Sequence, residues 1–132
     1  MTFLSLDEVH SLHDRLIERY GGLSGLRDEG ALQSALLAAE NRHWYESLDE
    51  LPVLAATYAY HLVKAHAFSD GNKRVAAATA FAFVYANGGE VGASEDEIVE
   101  TFLEMAAGEL SRQEVEDIFR RWVRTGDSLG EV

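Results

Sequence analysis

The chain has 132 residues, of which 47% are hydrophobic, and a formal net charge of -12 with acidic residues spread along its length. This length predicts one domain, residues 1–132, with a buried core, and the negative surface disfavours direct nucleic-acid binding because it repels phosphate backbones. The absence of cysteine excludes disulfides and thiolate chemistry and favours a cytoplasmic location. We expect no membrane association, since no apolar run is long enough to cross a bilayer and no secretory signal pattern opens the chain.

The spacing of apolar residues, at intervals of three and four almost throughout, predicts an all-α fold. A first helix is predicted from about Leu6 to Tyr20, opened by a capping box between Ser5 and Glu8 and ended by two glycines. A second helix is predicted from about Asp28 to Ala39. The segment NRHWYES, residues 41–47, has no clean period, so we predict a loop or short hairpin there with exposed aromatic side chains.

The sequence pattern in the middle of the chain predicts two further helices. The third begins near Asp49 and carries Pro52 in its first turn, where a missing N–H costs little. The fourth begins between residues 70 and 72 and ends at Asn87. Because it is apolar nearly all round from Val75 to Ala86, we predict that it is the central helix of the bundle.

The remainder of the chain predicts a short extended piece at Glu90 and Val91 and then two helices. They run from Glu95 to about Ala107 and from Arg112 to about Arg124, and each opens with a capping box, Ser94 with Glu97 and Ser111 with Glu114. The final TGDSLGEV has little to bury and is expected to fray. The predicted fold is therefore a compact bundle of about six helices around a buried central helix, with a short loop or hairpin flap.

The stretch HAFSDGNKR, residues 66–74, gathers polar chemistry at the start of the fourth predicted helix. The first N–H groups of a helix have no intrahelical acceptor and carry the positive end of its dipole, so they form an anion site. Gly71 allows close approach of the backbone, and Lys73 and Arg74 add charge, which favours phosphate groups. Asp70 could cap the helix or hold a divalent cation, and His66 lies where it could meet a bound ligand.

Each of these residues, taken singly, has an ordinary structural explanation. An aspartate in this place usually caps the helix, a lone histidine is usually structural, and Phe68 is expected to anchor the loop in the core. Lys73 and Arg74 would each be solvated charges. Their combination within nine consecutive residues favours a site.

The same stretch resembles the signature of the Fic superfamily, and in particular its death-on-curing (Doc) branch, His-x-Phe-x-Asp-x-Asn-Lys-Arg, at every specified position. Three further segments resemble the family's early helix, its approach to the motif and its exit: GLRDEGALQSALLAAEN, ATYAYHLVKAHAF and FVYANGGEV. The resemblance implies a compact Fic-type helical fold and the toxin half of a toxin–antitoxin pair. It also implies a cognate antitoxin whose segment folds into an apolar groove, for which Trp44 and Tyr45 are candidate contacts.

The resemblance further implies the roles of the motif residues. His66 is expected to act as the general base on an acceptor hydroxyl, and Asp70 is expected to bind Mg²⁺. The phosphates of ATP are expected to be held by the remaining motif residues, namely Gly71, Asn72, Lys73 and Arg74.

Two departures from the adenylyl-transferring members of the superfamily bear on the reaction. Those enzymes usually have glycine where this chain has Lys73 and a second arginine where it has Ala77, so both positions point away from AMP transfer. The Doc branch moves the γ-phosphate of ATP to a threonine of elongation factor Tu and stops translation. We therefore expect a Mg²⁺-dependent protein kinase toxin that acts on a translation factor.

Three alternatives remain at this stage. One is a Fic-type AMP transferase, and another is a noncatalytic binding module with the same fold. The third is a metal-dependent hydrolase using His10 and His13, which share a helix face; no third ligand is evident, and an exposed pair is the more ordinary expectation.

Overall fold

The computed structural model describes residues 1–125 and contains six helices there. Their bounds are α1 Leu6–Tyr20, α2 Glu29–Tyr45, α3 Leu51–Ala65, α4 Asn72–Ala86, α5 Glu95–Ala106 and α6 Arg112–Trp122. Two short strands, β1 Glu90–Val91 and β2 Val123–Arg124, pair antiparallel. The all-α bundle of about six helices is confirmed. The predicted fraying concerns residues 126–132, which lie outside the described part of the chain.

The structures predicted at the starts of the helices are confirmed. All three capping boxes are present, with the serine accepting from a backbone N–H and the glutamate accepting from the serine N–H in return. Pro52 lies in the first turn of α3. The last predicted helix ends at Trp122 instead of Arg124, because the next two residues form β2 against the predicted extended piece at Glu90 and Val91.

The prediction of a loop or hairpin at residues 41–47 is wrong, because α2 continues through to Tyr45. The side chain of Arg42 explains the lost apolar period. Its Nη1 lies 3.0 Å from Thr57 Oγ1 and 3.0 Å from Glu116 Oε2, so a charged residue occupies an inward position. The two aromatic residues that follow are exposed, as predicted, but they extend from the end of a helix.

The central helix of the bundle is α3, which corrects the prediction that α4 occupies that place. Ten residues of α3 are buried, against six of α4, and α3 packs on α2, α4, α5 and α6. Apolar composition misled the prediction because several α4 alanines are only partly buried and Tyr85 is 57% exposed. The described residues include no helix that is both long enough and apolar enough to span a membrane.

Candidate active site

The residues predicted to carry the chemistry lie in and directly after the motif loop, residues 66–71, which joins α3 to α4. His66 ends α3 in the left-handed conformation, with φ 46° and ψ 44°. Gly71 precedes α4 with φ 73°, a conformation that favours glycine. The two left-handed residues turn the chain so that α4 begins beside the end of α3.

A second loop, residues 21–28 between α1 and α2, holds the motif loop through backbone hydrogen bonds. Arg27 N–H donates to the carbonyl of Ala67 at 2.7 Å, and Ser69 N–H donates to the carbonyl of Gly25 at 3.1 Å. We call residues 21–28 the brace loop. Because these contacts use backbone atoms on both sides, the motif loop has a defined path that does not depend on a bound ligand.

Phe68 anchors the motif loop in the core, as predicted, and is only 2% exposed. The side-chain amide of Asn72 pairs with the backbone of Phe68: Phe68 N–H donates to Oδ1 at 3.0 Å, and Nδ2 donates to the Phe68 carbonyl at 2.9 Å. The side chain of Asn72 is therefore engaged in shaping the loop. For a phosphate, Asn72 offers its backbone N–H.

The carboxylate of Asp70 is exposed and oriented by two backbone donors. Leu23 N–H donates to Oδ2 at 3.2 Å and Gly71 N–H donates to Oδ1 at 2.8 Å. These two hydrogen bonds, the former being the larger cause, lower the pKa of Asp70 from its ordinary value. The carboxylate is thus ionised at neutral pH, with lone pairs left for a cation.

The first turn of α4 retains unpaired donors. Asp70 does not cap the helix, since the N-cap is Gly71 and no side chain bonds to the first turn. Within residues 1–125, the backbone N–H groups of Asn72, Lys73 and Arg74 have no acceptor. These unpaired donors are the feature on which the prediction of an anion site depends.

A cavity of about 370 Å³ opens beside these donors. One wall is polar and comprises residues 70–74 with Ala77; the other is an apolar face of α5 that includes Val99 and Leu103. The Arg74 guanidinium lies 4.7 Å from the ring centroid of Tyr20, an aromatic contact that the sequence analysis did not identify. The structure thus brings together five of the six predicted site residues along one wall.

His66, the sixth, does not line this cavity. Its side chain is exposed, and its carbonyl accepts a hydrogen bond from Arg27 Nη2 at 2.8 Å. The backbone of His66 is therefore fixed by the brace loop, while the imidazole is accessible to an incoming group.

His13 and Gly22 lie next to Asp70 and were not identified from the sequence. His13 is 1% exposed, so the expectation of an exposed pair with His10 is wrong for this residue. Its Nε2 lies 2.7 Å from the Asp70 carbonyl. A Cβ on Gly22 would lie 2.6 Å from Asp70 Oδ2. The four-residue spacing from Val9, which places His13 on the buried face of α1, was the available signal.

Among the described residues there is no group of three or more His, Cys, Asp and Glu side chains that could hold a metal ion by themselves. Asp70 is the carboxylate on the cavity wall. A cation there would need oxygen ligands from a bound phosphate or water in addition to Asp70, as is usual for Mg²⁺.

Two comparisons with known proteins show the family of the chain. A family model described as Fic/DOC family matches residues 3–84, a range that contains the brace loop, the motif loop and all of α4 except its last two residues. The chain is also 36% identical over 121 residues to a protein of Escherichia phage P1 named "Protein kinase doc", covering 92% of this chain and 95% of that protein. The chain therefore belongs to the Fic/Doc family.

Proposed function

We propose that this chain is a Doc-type toxin that transfers the γ-phosphate of ATP to a hydroxyl of a translation factor, with elongation factor Tu as the expected substrate. The observation that carries the proposal is the array of unpaired α4 donors next to an ionised Asp70 on one cavity wall. Similarity to a protein named as a kinase supports the phosphoryl-transfer class. Arrest of translation would follow from modification of such a factor.

The residues on the cavity wall fit ATP and Mg²⁺. Three backbone N–H groups and the charges of Lys73 and Arg74 suit a polyphosphate. Mg²⁺ commonly takes one or two carboxylates and completes its coordination with phosphate oxygens and water, so a single Asp70 is sufficient. When bound, Mg²⁺ would neutralise charge on the phosphates.

In the proposed reaction, His66 accepts the proton of the acceptor hydroxyl. The hydroxyl oxygen forms a bond to the γ-phosphorus while the bond from that phosphorus to the bridging oxygen breaks, and ADP leaves with the electron pair. The exposed imidazole of His66, on a backbone fixed by Arg27, is accessible to a protein substrate. Lys73 and Arg74 stabilise negative charge on the phosphates.

Two side chains support γ-phosphate transfer over AMP transfer. Lys73 and Ala77 both line the cavity, so the residues that depart from the adenylyl-transferring pattern are in a position to affect how the phosphate chain lies. A lysine fills space that a glycine leaves open and supplies a point charge. We infer that the phosphate chain is placed with its γ-phosphorus next to the acceptor hydroxyl.

The test is to incubate the chain with elongation factor Tu, Mg²⁺ and ATP labelled at either the α or the γ position, and to weigh the product by mass spectrometry. We expect the γ label and the mass of one phosphate. Entry of the α label and the mass of an adenylyl group would establish the AMP transferase instead. No modification of the factor under conditions in which ATP binds would favour the noncatalytic module.

Three variants of the chain test the proposed roles of individual residues. His66→Ala should fold normally and lower transfer by about 10²- to 10⁴-fold, the usual contribution of a general base. Asp70→Ala should lose transfer through loss of the cation ligand. Lys73→Gly combined with Ala77→Arg should lower phosphorylation. Full transfer activity in His66→Ala would contradict its assignment as the base.

The proposal includes a cognate antitoxin and, because translation factors are cytoplasmic, a cytoplasmic location. Trp44 and Tyr45 are 71% and 85% exposed at the end of α2, where they offer apolar contacts to an antitoxin segment. Expression of the chain alone should arrest growth, and coexpression of a small neighbouring gene product should relieve the arrest. Harmless expression of the chain alone, with normal accumulation of folded protein, would contradict the toxin assignment.

A further inference from the structure

The buried histidine of α1 makes two contacts with the motif loop. The imidazole of His13 stacks on the ring of Phe68 with a centroid distance of 3.8 Å and an interplanar angle of 13°. Its Nε2 lies 2.7 Å from the carbonyl oxygen of Asp70. A carbonyl oxygen can only accept a hydrogen bond, so Nε2 must carry the hydrogen.

This hydrogen bond fixes the peptide that joins Asp70 to Gly71. The peptide is trans, so its C=O and N–H point in opposite directions, and holding the carbonyl against α1 turns the Gly71 N–H away from α1. That N–H donates to Asp70 Oδ1 at 2.8 Å. The orientation of the Asp70 carboxylate is thereby linked to the position of the His13 ring.

The flexibility of Gly71 makes a hydrogen bond to the preceding carbonyl necessary. Gly71 has φ 73°, and the absence of a Cβ leaves the preceding peptide free to rotate into other orientations. A reoriented peptide would change both the donor to Asp70 and the entry into α4. A hydrogen bond on the carbonyl side selects one of these orientations.

We propose that His13 is a positioning residue for this site: through its Nε2–H it holds the Asp70–Gly71 peptide in the orientation that aims the Asp70 carboxylate at the proposed cation and the first N–H groups of α4 at the bound phosphates. The role in nucleotide binding rests on the proposed function. The structural part does not, because the hydrogen bond joins two groups of this chain.

Two substitutions separate the hydrogen bond of His13 from its packing. His13→Phe keeps a ring against Phe68 and removes the donor, whereas His13→Gln replaces the ring and keeps an N–H at a similar distance from the backbone. The matched control is His10→Phe. His10 also contacts Phe68, with centroids 5.9 Å apart and an interplanar angle of 84°, but within residues 1–125 its ring makes no hydrogen bond.

The measurements are nitrogen-15 NMR of the protein without nucleotide and calorimetric titration with ATP and Mg²⁺. In the wild type, we expect a protonated Nε2 on His13. His13→Phe should shift the amide signals of residues 70–74 and weaken ATP·Mg²⁺ binding about tenfold, the size of one orienting hydrogen bond. His13→Gln should restore the affinity to within about threefold, and His10→Phe should leave both measurements unchanged.

Specific outcomes would overturn the proposal. An unprotonated Nε2 in the wild type would do so, as would a folded His13→Phe with unchanged amide signals and affinity. A loss of affinity in His13→Gln that His13→Phe does not share would assign the effect to ring packing. Should His13→Phe not fold, the wild-type spectrum and His13→Gln decide the question. Absence of ATP binding by the wild type would refute the proposed function, while the spectra of the unliganded protein would still test the hydrogen bond.

Discussion

Replacement of Gly22 by alanine should impair the proposed cation site while leaving the helical bundle folded. Gly22 has φ 112°, and a Cβ added there would lie 2.6 Å from Asp70 Oδ2 and 3.2 Å from Asp70 Cγ. The neighbouring Gly21 also has a positive φ, 81°, but nothing lies within 4 Å of its added Cβ. Gly21→Ala is therefore a control that imposes the backbone cost without the contact with Asp70.

The size of the effect follows from these distances. An alanine held at a positive φ that favours glycine costs about 1–3 kcal/mol, so both variants should lose roughly this much stability. In Gly22→Ala, the carboxylate must also retreat from 2.6 Å to an ordinary contact of 3.4 Å, a movement of about 0.8 Å. The hydrogen bond that it accepts from Leu23 N–H is 3.2 Å long, already near the upper limit of donor–acceptor distances, and would break. Since a misplacement of about 1 Å can cost 10²-fold in rate, we expect a 10- to 100-fold loss of phosphate transfer.

Urea denaturation of both variants gives the backbone cost, and calorimetry with ATP and Mg²⁺, together with the transfer assay, gives the effect on the site. We expect Gly21→Ala to match the wild type in affinity and transfer at temperatures where it is folded. If Gly22→Ala matched Gly21→Ala in affinity and transfer, the contact between Gly22 and Asp70 would have no bearing on the site, and the reasoning above would be refuted.

Two further predictions concern stability. Glu116→Ala should destabilise the fold by about 3 kcal/mol in urea denaturation, the lower end of the cost of breaking a buried pair, because it leaves the largely buried Arg42 with only the exposed Glu46 as an ion-pair partner. Arg112→Ala should cost less than about 1 kcal/mol, since Arg112 is half exposed; equal losses would contradict this. Glu97→Gln tests the capping box at Ser94, whose backbone N–H is the largest cause of the lowered pKa of Glu97. Because the folded-state pKa is depressed, the carboxylate stabilises the fold above its ordinary pKa of 4.5, and this contribution is lost as the pH falls through the depressed value. Urea denaturation across pH should show Glu97→Gln less stable near neutrality and equal to the wild type in acid; a difference independent of pH would contradict the assignment.

The features of the fold that could be predicted from the sequence are those decided within a few residues. A capping box needs a serine and a glutamate three positions apart, and its geometry does not depend on the rest of the chain. The bounds of α1 were therefore predicted correctly. The unpaired donors at the start of α4 could be predicted for the same reason, and the charged side chains of Lys73 and Arg74 lie next to them in sequence.

The errors in the fold arose where a residue's environment is set by distant partners. Arg42 interrupts the apolar period of α2, and its inward position is stabilised by Thr57 and by Glu116, which lie on α3 and α6. The choice of α3 over α4 as the central helix likewise depends on how many elements pack around each. Apolar composition shows that a helix is largely free of charge, but it does not show how many neighbours the helix has.

The candidate site likewise combines residues that are adjacent in the sequence with residues that only the fold brings together. The motif identifies which side chains are present, while their orientation comes from elements outside it: His13 holds the Asp70 carbonyl, and Leu23 N–H holds its carboxylate. Most of the contacts from the brace loop use its backbone atoms, which leave little trace in residue types apart from the glycines with positive φ at positions 21, 22 and 25. Asn72 illustrates the consequence within the motif itself, since its amide shapes the loop instead of facing the cavity. A chain that kept all nine motif residues but lacked a hydrogen-bond donor at position 13 and carried a bulkier residue at position 22 would keep the pattern and lose the geometry that the proposed chemistry requires.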